Sequence, residues 1–244
     1  MEISVVFPAY NEEENIRFAM QQALDALRPR FDRFEIIIVN DFSRDNTGRI
    51  ADELAAEHPE IRVVHNPRNL GSGHSAWRGF QYATCELIIH NAMDYPFDLK
   101  DLDKMIPLMA DADVVVAERT ERAGYTAYRK LTSRVNLALL HLLFDLKLRD
   151  YNFTQLYRKR VLDTVETSTR STAFLTPETL IRAHDMGYRV KAIEIEYHPR
   201  LAGVATAGKP KVIIESMRDM FRFWIKRKLG LTGKRAPVSS RASS

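Results

Sequence analysis

A chain of 244 residues, 45% apolar, is long enough to bury a sizeable core and fits one large α/β domain, or a domain plus a small appendage. The lone Cys85 excludes an intramolecular disulfide, argues against a cysteine-rich zinc site and fits a reducing compartment. Net charge is only +4, but from Lys209 onward basic residues far outnumber the two acids Glu215 and Asp219, which predicts an anionic partner for that end.

No aromatic-interleaved basic sheet or recognition helix points to nucleic acid, so the favoured anionic partner is a lipid surface. Met1-Glu2 runs straight into a strand without a charged-then-apolar leader. No uncharged apolar run reaches the roughly 18 residues a membrane span requires. The expected location is the cytoplasm, with peripheral attachment to a membrane surface as the variant.

In chain order, Ile3 to Phe7 reads as a buried strand that ends at Pro8 and turns at Tyr10-Asn11. A helix is expected from Asn11, with Asn as its cap, Glu14 three residues on, and Glu12 and Glu13 at the positive end of its dipole. Glu35 to Val39 is a second strand, ending at Asn40-Asp41, and Thr47 to His58 a helix. Ile61 to His65 is a third strand. The turn Asn66 to Gly73 feeds a helix ending near Ala83. Strand Leu87 to His90, helix Asp101 to Met109 and strand Val114 to Ala117 complete an alternation that predicts βαβ units and a mostly parallel sheet. Beyond it come a basic loop (Arg119 to Arg134), an apolar helix (Val135 to Leu148), and a weak strand within Asp150 to Tyr157. A helix from Pro177 to Met186 stops at Gly187, a strand spans Tyr188 to Tyr197, and the last helix covers Val212 to Leu229. Residues 1–211 would form the main domain, 212–231 an amphipathic helix docked on it or lying on a membrane, and 232–244 a disordered tail.

Ligands of open α/β sheets sit at the carboxyl ends of the strands, so the polar residues after the first two strands outline a nucleotide-sized crevice. Pro8, Tyr10 and Glu12 lie at the first strand-to-helix turn; Asp41 follows the second strand. Asp45 and Thr47 read more simply as a helix N-terminus. Gly71-Ser-Gly73 opens the third helix, where glycines let backbone N–H groups approach an anion. Asp94 follows the fourth strand. Arg129 and Arg134, which flank an apolar helix, could hold phosphate groups by bidentate contacts.

Phe7-Pro-Ala-Tyr-Asn-Glu12, Val39-Asn-Asp-Phe-Ser43 and Asn69-Leu-Gly-Ser-Gly73 with Gly79 together resemble the family 2 glycosyltransferases. The resemblance implies a GT-A nucleotide-diphospho-sugar transferase fold: α/β, with a mostly parallel central sheet flanked by helices. It covers about residues 3–225. It implies base and ribose contacts for Asp41 with Pro8, Tyr10 and Glu12, a place for Gly71 and Arg119 at the nucleotide-sugar, and catalytic contacts for Asp94, Arg129 and Arg200. Arg134 and Lys209 would hold the acceptor phosphate. The short form resembles the polyprenyl-phosphate (dolichyl-phosphate) sugar synthases, which implies a nucleoside-diphosphate sugar donor and a lipid phosphate acceptor. The family's Asp-x-Asp holds Mg²⁺ or Mn²⁺; aligned without gaps its positions fall on Ala92 and Asp94, so only Asp94 remains for a metal. Ser72 stands where the family has Lys, and Val204 where it has Ser. A transferase for a polysaccharide or soluble hydroxyl acceptor, with Asp150 as base, is the enzyme alternative. A non-catalytic nucleotide-sugar-binding protein is the other. No Gly-x-Gly-x-x-Gly follows the first strand, which disfavours a dinucleotide-dependent oxidoreductase.

Overall fold

Val5, Val6, Phe7 and Ile36 to Val39 are fully buried, as strands covered by helices on both faces must be. The computed structural model describes residues 1–120, 127–169, 171–196 and 210–232. Its strands are β1 (Glu2–Ala9), β2 (Arg33–Asn40), β3 (Ile61–His65), β4 (Leu87–His90), β5 (Val114–Arg119), β6 (Thr154–Arg158) and β7 (Val190–Ile195). They form one sheet in the order β3-β2-β1-β4-β6-β5-β7. All pairings are parallel except those of β6, which runs antiparallel to both β4 and β5. This is the mostly parallel α/β sheet expected from the alternation of elements.

The helices are α1 (Ile16–Leu27), α2 (Thr47–Glu57), α3 (Ser72–Tyr82), α4 (Leu102–Met105), α5 (Ala127–Leu143), α6 (Lys159–Thr164), α7 (Thr172–Asp185) and α8 (Pro210–Lys228). One apolar core lies between the sheet and α1, α2 and α4; the other lies under α3 and α5 to α8. Alternate strand residues serve the two cores: Leu87 and Ile89 one, Ile88 the other. Gly79 lets α3 lie directly on β1 and β2. A Cβ there would sit 2.3 Å from Val6 Cγ1 and 3.0 Å from Val39 Cγ2. The N-terminus of α3 is thereby carried to the carboxyl edge of the sheet.

Several boundaries differ from expectation. α1 starts at Ile16, not Asn11, because residues 11 to 13 are used in contacts between loops. α5 is displaced toward the N-terminus, to Ala127–Leu143. Leu146 and Leu148 are buried but lie beyond its end, where His141 Nε2 sits 2.8 Å from the Leu148 carbonyl and Lys147 Nζ donates to the Phe144 carbonyl at 3.0 Å. α7 begins at Thr172 and carries Pro177 inside it, and α6 was not foreseen. α8 packs on α7 through Met220 and Phe223, with the Phe223 ring 6.0 Å from that of Phe174. Buried Asp219 accepts hydrogen bonds from Thr169 Oγ1 (2.9 Å) and Ser171 N (2.8 Å), and Arg227 pairs with Asp185 and Asp145 at 2.6 and 2.9 Å.

Candidate active site

Among the described residues, three other than glycine adopt positive φ: Asn11 (55°), Phe42 (62°) and Tyr95 (49°). They follow β1, β2 and β4, so the strained backbone gathers at the carboxyl edge of three adjacent strands. Such strain persists where the surroundings impose it and clusters at functional sites. Here hydrogen bonds between loops supply the constraint. Asn11 N donates to Ser43 Oγ (3.1 Å), Arg44 N to Asn11 Oδ1 (2.9 Å), Glu12 N to Thr47 Oγ1 (2.7 Å) and Glu13 N to Asp45 Oδ2 (3.2 Å). Asp45 in turn accepts from Thr47 N (3.0 Å) and Thr47 Oγ1 (2.6 Å). Burial pushes the Asp45 carboxyl up, but these hydrogen bonds outweigh it and leave the group below its ordinary value. Asp45 and Thr47 therefore do more than begin a helix: they bind the β1–α1 loop to the β2–α2 loop.

Asp41 organises the next loop. Only 2% exposed, its Oδ1 accepts from Asn66 Nδ2 (2.8 Å) and Leu70 N (2.7 Å), and its Oδ2 from Gly71 N (2.8 Å). Gly71 sits at φ +85°, a conformation open to glycine, and immediately precedes α3. Asn40 bridges the neighbouring ends: its Nδ2 lies 3.0 Å from His65 Nδ1, and its Oδ1 accepts from Ser43 N at 3.1 Å. Tyr10 and Phe42 stand exposed on the same rim, and Glu12 Oε2 accepts from Asn15 Nδ2 at 2.7 Å.

From this rim a cavity of about 450 Å³ runs down over β4 and β6, between α3, α5, α7 and α8. Pro8 and Gly73 border its mouth side, Trp77 and Phe80 one wall, and His90 and Gln155 belong to its lining. Arg119 enters it from β5. Its Nε donates to Asp150 Oδ2 at 2.5 Å, and its guanidinium lies 5.2 Å from the Phe153 ring. Burial pushes the His90 imidazole down to about 4, so it is neutral at pH 7.

The turn after β4 carries Asp94, part-buried, with Tyr95 N donating back to the Ala92 carbonyl at 3.0 Å. The donor set there is poor for a divalent cation. Asn91 is buried, with Nδ2 donating to the Phe97 carbonyl (2.7 Å) and Oδ1 accepting from Ala92 N (3.0 Å). Met93 is in the core, and Ala92 has no donor side chain. Among the described residues no three His, Cys, Asp or Glu side chains come together in a way that would hold a metal. A hard cation wants several oxygen ligands. The residues present do not make such a site, and Asp94 is the single carboxylate at the position anticipated for Mg²⁺ or Mn²⁺.

Pro8, Tyr10, Glu12, Asp41 and Gly71 are thus brought to one rim, with Asp94 on the adjacent turn and Arg119 in the cavity. Arg134 is exposed on α5, whereas Thr132, Ser133 and Asn136 face the cavity. Arg129 belongs to α5, but its side chain is outside the described set, and Arg200, Lys209 and 233–244 lie outside the described residues altogether. Asn66, Phe42, His90 and Gln155 were not anticipated. The only signal for His90 was a histidine closing the apolar run Leu87-Ile-Ile.

A mostly parallel α/β sheet whose loops converge at its carboxyl edge, with one antiparallel strand beside β4, defines a fold that takes its ligand at that edge. The sequence profile described as "Glycosyl transferase family 2" matches residues 4–174, more than half of the chain, and the chain belongs to that family. The chain is 29% identical over 239 residues to the dolichol-phosphate mannosyltransferase of Pyrococcus furiosus, covering 91% of this chain and 63% of the relative. It is 28% identical over 212 residues to Glycosyltransferase AglD of Haloferax volcanii, covering 82% of this chain and 34% of the relative. The chain thus spans between about a third and two thirds of the length of these relatives. Among solved structures, glucosyl-3-phosphoglycerate synthase from Mycobacterium tuberculosis, in complex with Mn²⁺, UDP-glucose and phosphoglyceric acid, superposes with a TM-score of 0.64 at 18% identity, covering 90% of this chain and 80% of that one. At that identity the likeness establishes the GT-A fold alone.

Proposed function

We propose that the chain transfers a sugar from a nucleoside-diphosphate donor to a polyprenyl phosphate. The observation that carries this is the convergence of the β1, β2 and β3–α3 loops on one rim, opening into a cavity that Arg119 enters. The base and ribose lie against Pro8, Tyr10, Glu12 and the turn that Asp41 anchors. The diphosphate faces the N-terminus of α3 and Asp94. The acceptor phosphate approaches from α5, where Arg129 and Arg134 reside, with Arg200 and Lys209 contributing from outside the described residues. Support for a lipid phosphate comes from the relatives named as dolichol-phosphate and undecaprenyl-phosphate transferases.

An acceptor phosphate oxygen attacks the anomeric carbon, the bond from that carbon to the diphosphate breaks, and the nucleoside diphosphate departs. The acceptor is already anionic at neutral pH, so no strong general base is needed. Alignment and neutralisation of the departing charge carry the catalysis. For a hydroxyl acceptor the base would be Asp150, and its engagement by Arg119 at 2.5 Å favours the phosphate reading. Mg²⁺ or Mn²⁺ is the natural counter-ion of a diphosphate, but with Asp94 as its one carboxylate here the protein should depend on it weakly.

Calorimetry of the full chain against UDP- and GDP-sugars, with Mg²⁺ or with EDTA, tests this. One nucleotide series should bind, and chelation should change its affinity by less than about tenfold, equivalent to about 1.4 kcal/mol. The bound donor should then glycosylate a short-chain polyprenyl phosphate. Absence of binding to every donor would leave the non-catalytic alternative with no ligand and overturn the proposal.

A further inference from the structure

The cavity is lined by two polar groups that nothing among the described residues satisfies. Gln155 is completely buried; its Nε2 donates to the Tyr151 carbonyl at 3.2 Å, which fixes the amide, and its Oε1 has no partner. His90 Nδ1 is likewise buried without a partner. The β4–β6 register pairs Leu87 with Arg158, Ile88 with Tyr157 and Ile89 with Leu156. Continued by one residue it sets His90 opposite Gln155, on the face shared with Ile88 and Tyr157. Directly opposed residues of an antiparallel pair have Cβ atoms about 5 Å apart, so the two side chains leave the sheet side by side into one cavity. Trp77, Phe80 and Tyr157 line it; the Phe80 ring stands 5.9 Å from both the His90 and Tyr157 rings.

We infer that His90 and Gln155 form the subsite that reads the hydroxyls of the transferred sugar ring. A buried polar atom left unmade costs stability, and such exceptions call for a ligand or a water. Gln155 Oε1 can only accept, so the occupant must donate. A hydroxyl donates to Gln155 and either donates to or accepts from His90, whichever tautomer is present. The imidazole is neutral at pH 7 and brings no charge to a phosphate, and Gln155 Oε1 has no proton to give one, which leaves an uncharged, hydroxylated group. Aromatic walls suit the C–H faces of a sugar. Pro8 and Gly73 of the rim line the same cavity as His90 and Gln155, which places a ring tethered by its diphosphate at the rim in the cavity that holds both. The inference rests on the donor reading proposed above and adds which part of the donor is read, and by what.

The test compares His90→Phe and Gln155→Met, which keep shape and remove the hydrogen-bonding atoms, with the unaltered full chain. Calorimetry would use UDP, GDP, UDP-glucose and GDP-mannose. Each variant should weaken the sugar nucleotide by about tenfold or more. Affinity for the matching nucleoside diphosphate should stay within about twofold; Tm should hold or rise for His90→Phe, which removes a buried unsatisfied group, and fall modestly for Gln155→Met, which also takes the donor from the Tyr151 carbonyl. Equal losses for both ligands, or no loss for either, would mean the pair holds only a water and overturns the subsite while leaving the donor reading intact. If the unaltered chain binds none of the four, the donor reading fails first and the subsite with it. A variant that unfolds is replaced by His90→Leu or Gln155→Leu, which likewise remove the hydrogen-bonding atoms and leave an apolar side chain, with the same expected readouts.

Discussion

At the scale of single residues the site is defined by which polar groups are already taken. Asp41 spends three hydrogen bonds on Asn66, Leu70 and Gly71, so its first task is to hold the turn that presents the α3 N-terminus. Asp41→Asn keeps the shape but brings an amide donor against donors from those same three residues. Hydrogen bonds to charged groups contribute about 1.5–3 kcal/mol, so the variant should lose about that much stability along with donor binding. Thermal melting alongside calorimetry decides it: intact stability with lost binding would mean the carboxylate serves the ligand alone. His90 gives a pH signature of its own. Its folded pKa lies near 4, below the ordinary 6.5, so the folded state binds fewer protons than the unfolded chain between those values. The stability this contributes is fully present above pH 6.5 and is lost as pH falls toward 4, by up to about 3 kcal/mol. His90→Phe should flatten that limb of the Tm–pH curve, and parallel curves would show that the imidazole is protonated without penalty.

At the scale of elements, α3 is placed by the absence of one methyl group. Gly79→Ala would put Cβ 2.3 Å from Val6 Cγ1, on strands whose neighbours leave nowhere to move. Overpacking of this kind costs about 1–3 kcal/mol. Lifting α3 should also withdraw Gly71 from Asp41, so donor affinity should fall together with Tm. Urea unfolding and donor titration on the same preparation check this, and a stable variant with unchanged affinity would break the link between helix seat and rim. The strands of the first half were readable because each is a short apolar run bounded by polar turns, a pattern burial on both faces imposes. The start of α1 was not. Asn11 and Glu12 look like a cap, and only partners more than thirty residues away, Ser43 and Thr47, divert them into a loop. Asp41 was identified as a site residue from its place after β2, but its anchoring role needs Asn66 and Gly71 folded back onto it. His90 and Gln155 are 65 positions apart and meet only through the β4–β6 register, which a single sequence does not display. No described helix is long and apolar enough to cross a membrane, in line with the absence of a long apolar run.

For the molecule as a whole, the docked α8 satisfies only one of its faces. Met220 and Phe223 are buried, while Ile214, Phe221 and Ile225 recur on the opposite stripe, exposed, beside the exposed Arg218, Arg222 and Lys226. α5 repeats the arrangement with Tyr128, Leu131 and Val135 exposed next to Lys130 and Arg134. Both helices also line the cavity, through Ser133 and Asn136 on one and Ile213 and Ser216 on the other. Apolar side chains flanked by cations suit the interface of an anionic bilayer, where each surface Lys or Arg contributes about 1 kcal/mol. A lipid phosphate held at the membrane would then meet the cavity without leaving its leaflet. The full chain should therefore sediment with vesicles containing phosphatidylserine, weakly with phosphatidylcholine alone, and less at high salt as surface attraction is screened. Replacing Phe221 and Ile225 together by Ser should release it from both vesicle types, whereas replacing Arg218 and Arg222 by Gln should remove the preference for anionic lipid and leave weak residual binding. Neither pair contacts the β1–β2 rim, so donor affinity should be unchanged in both. Sedimentation that is indifferent to these residues would assign the exposed stripes to something other than a bilayer, and transfer to a detergent-solubilised polyprenyl phosphate would then proceed as well as transfer at a vesicle surface.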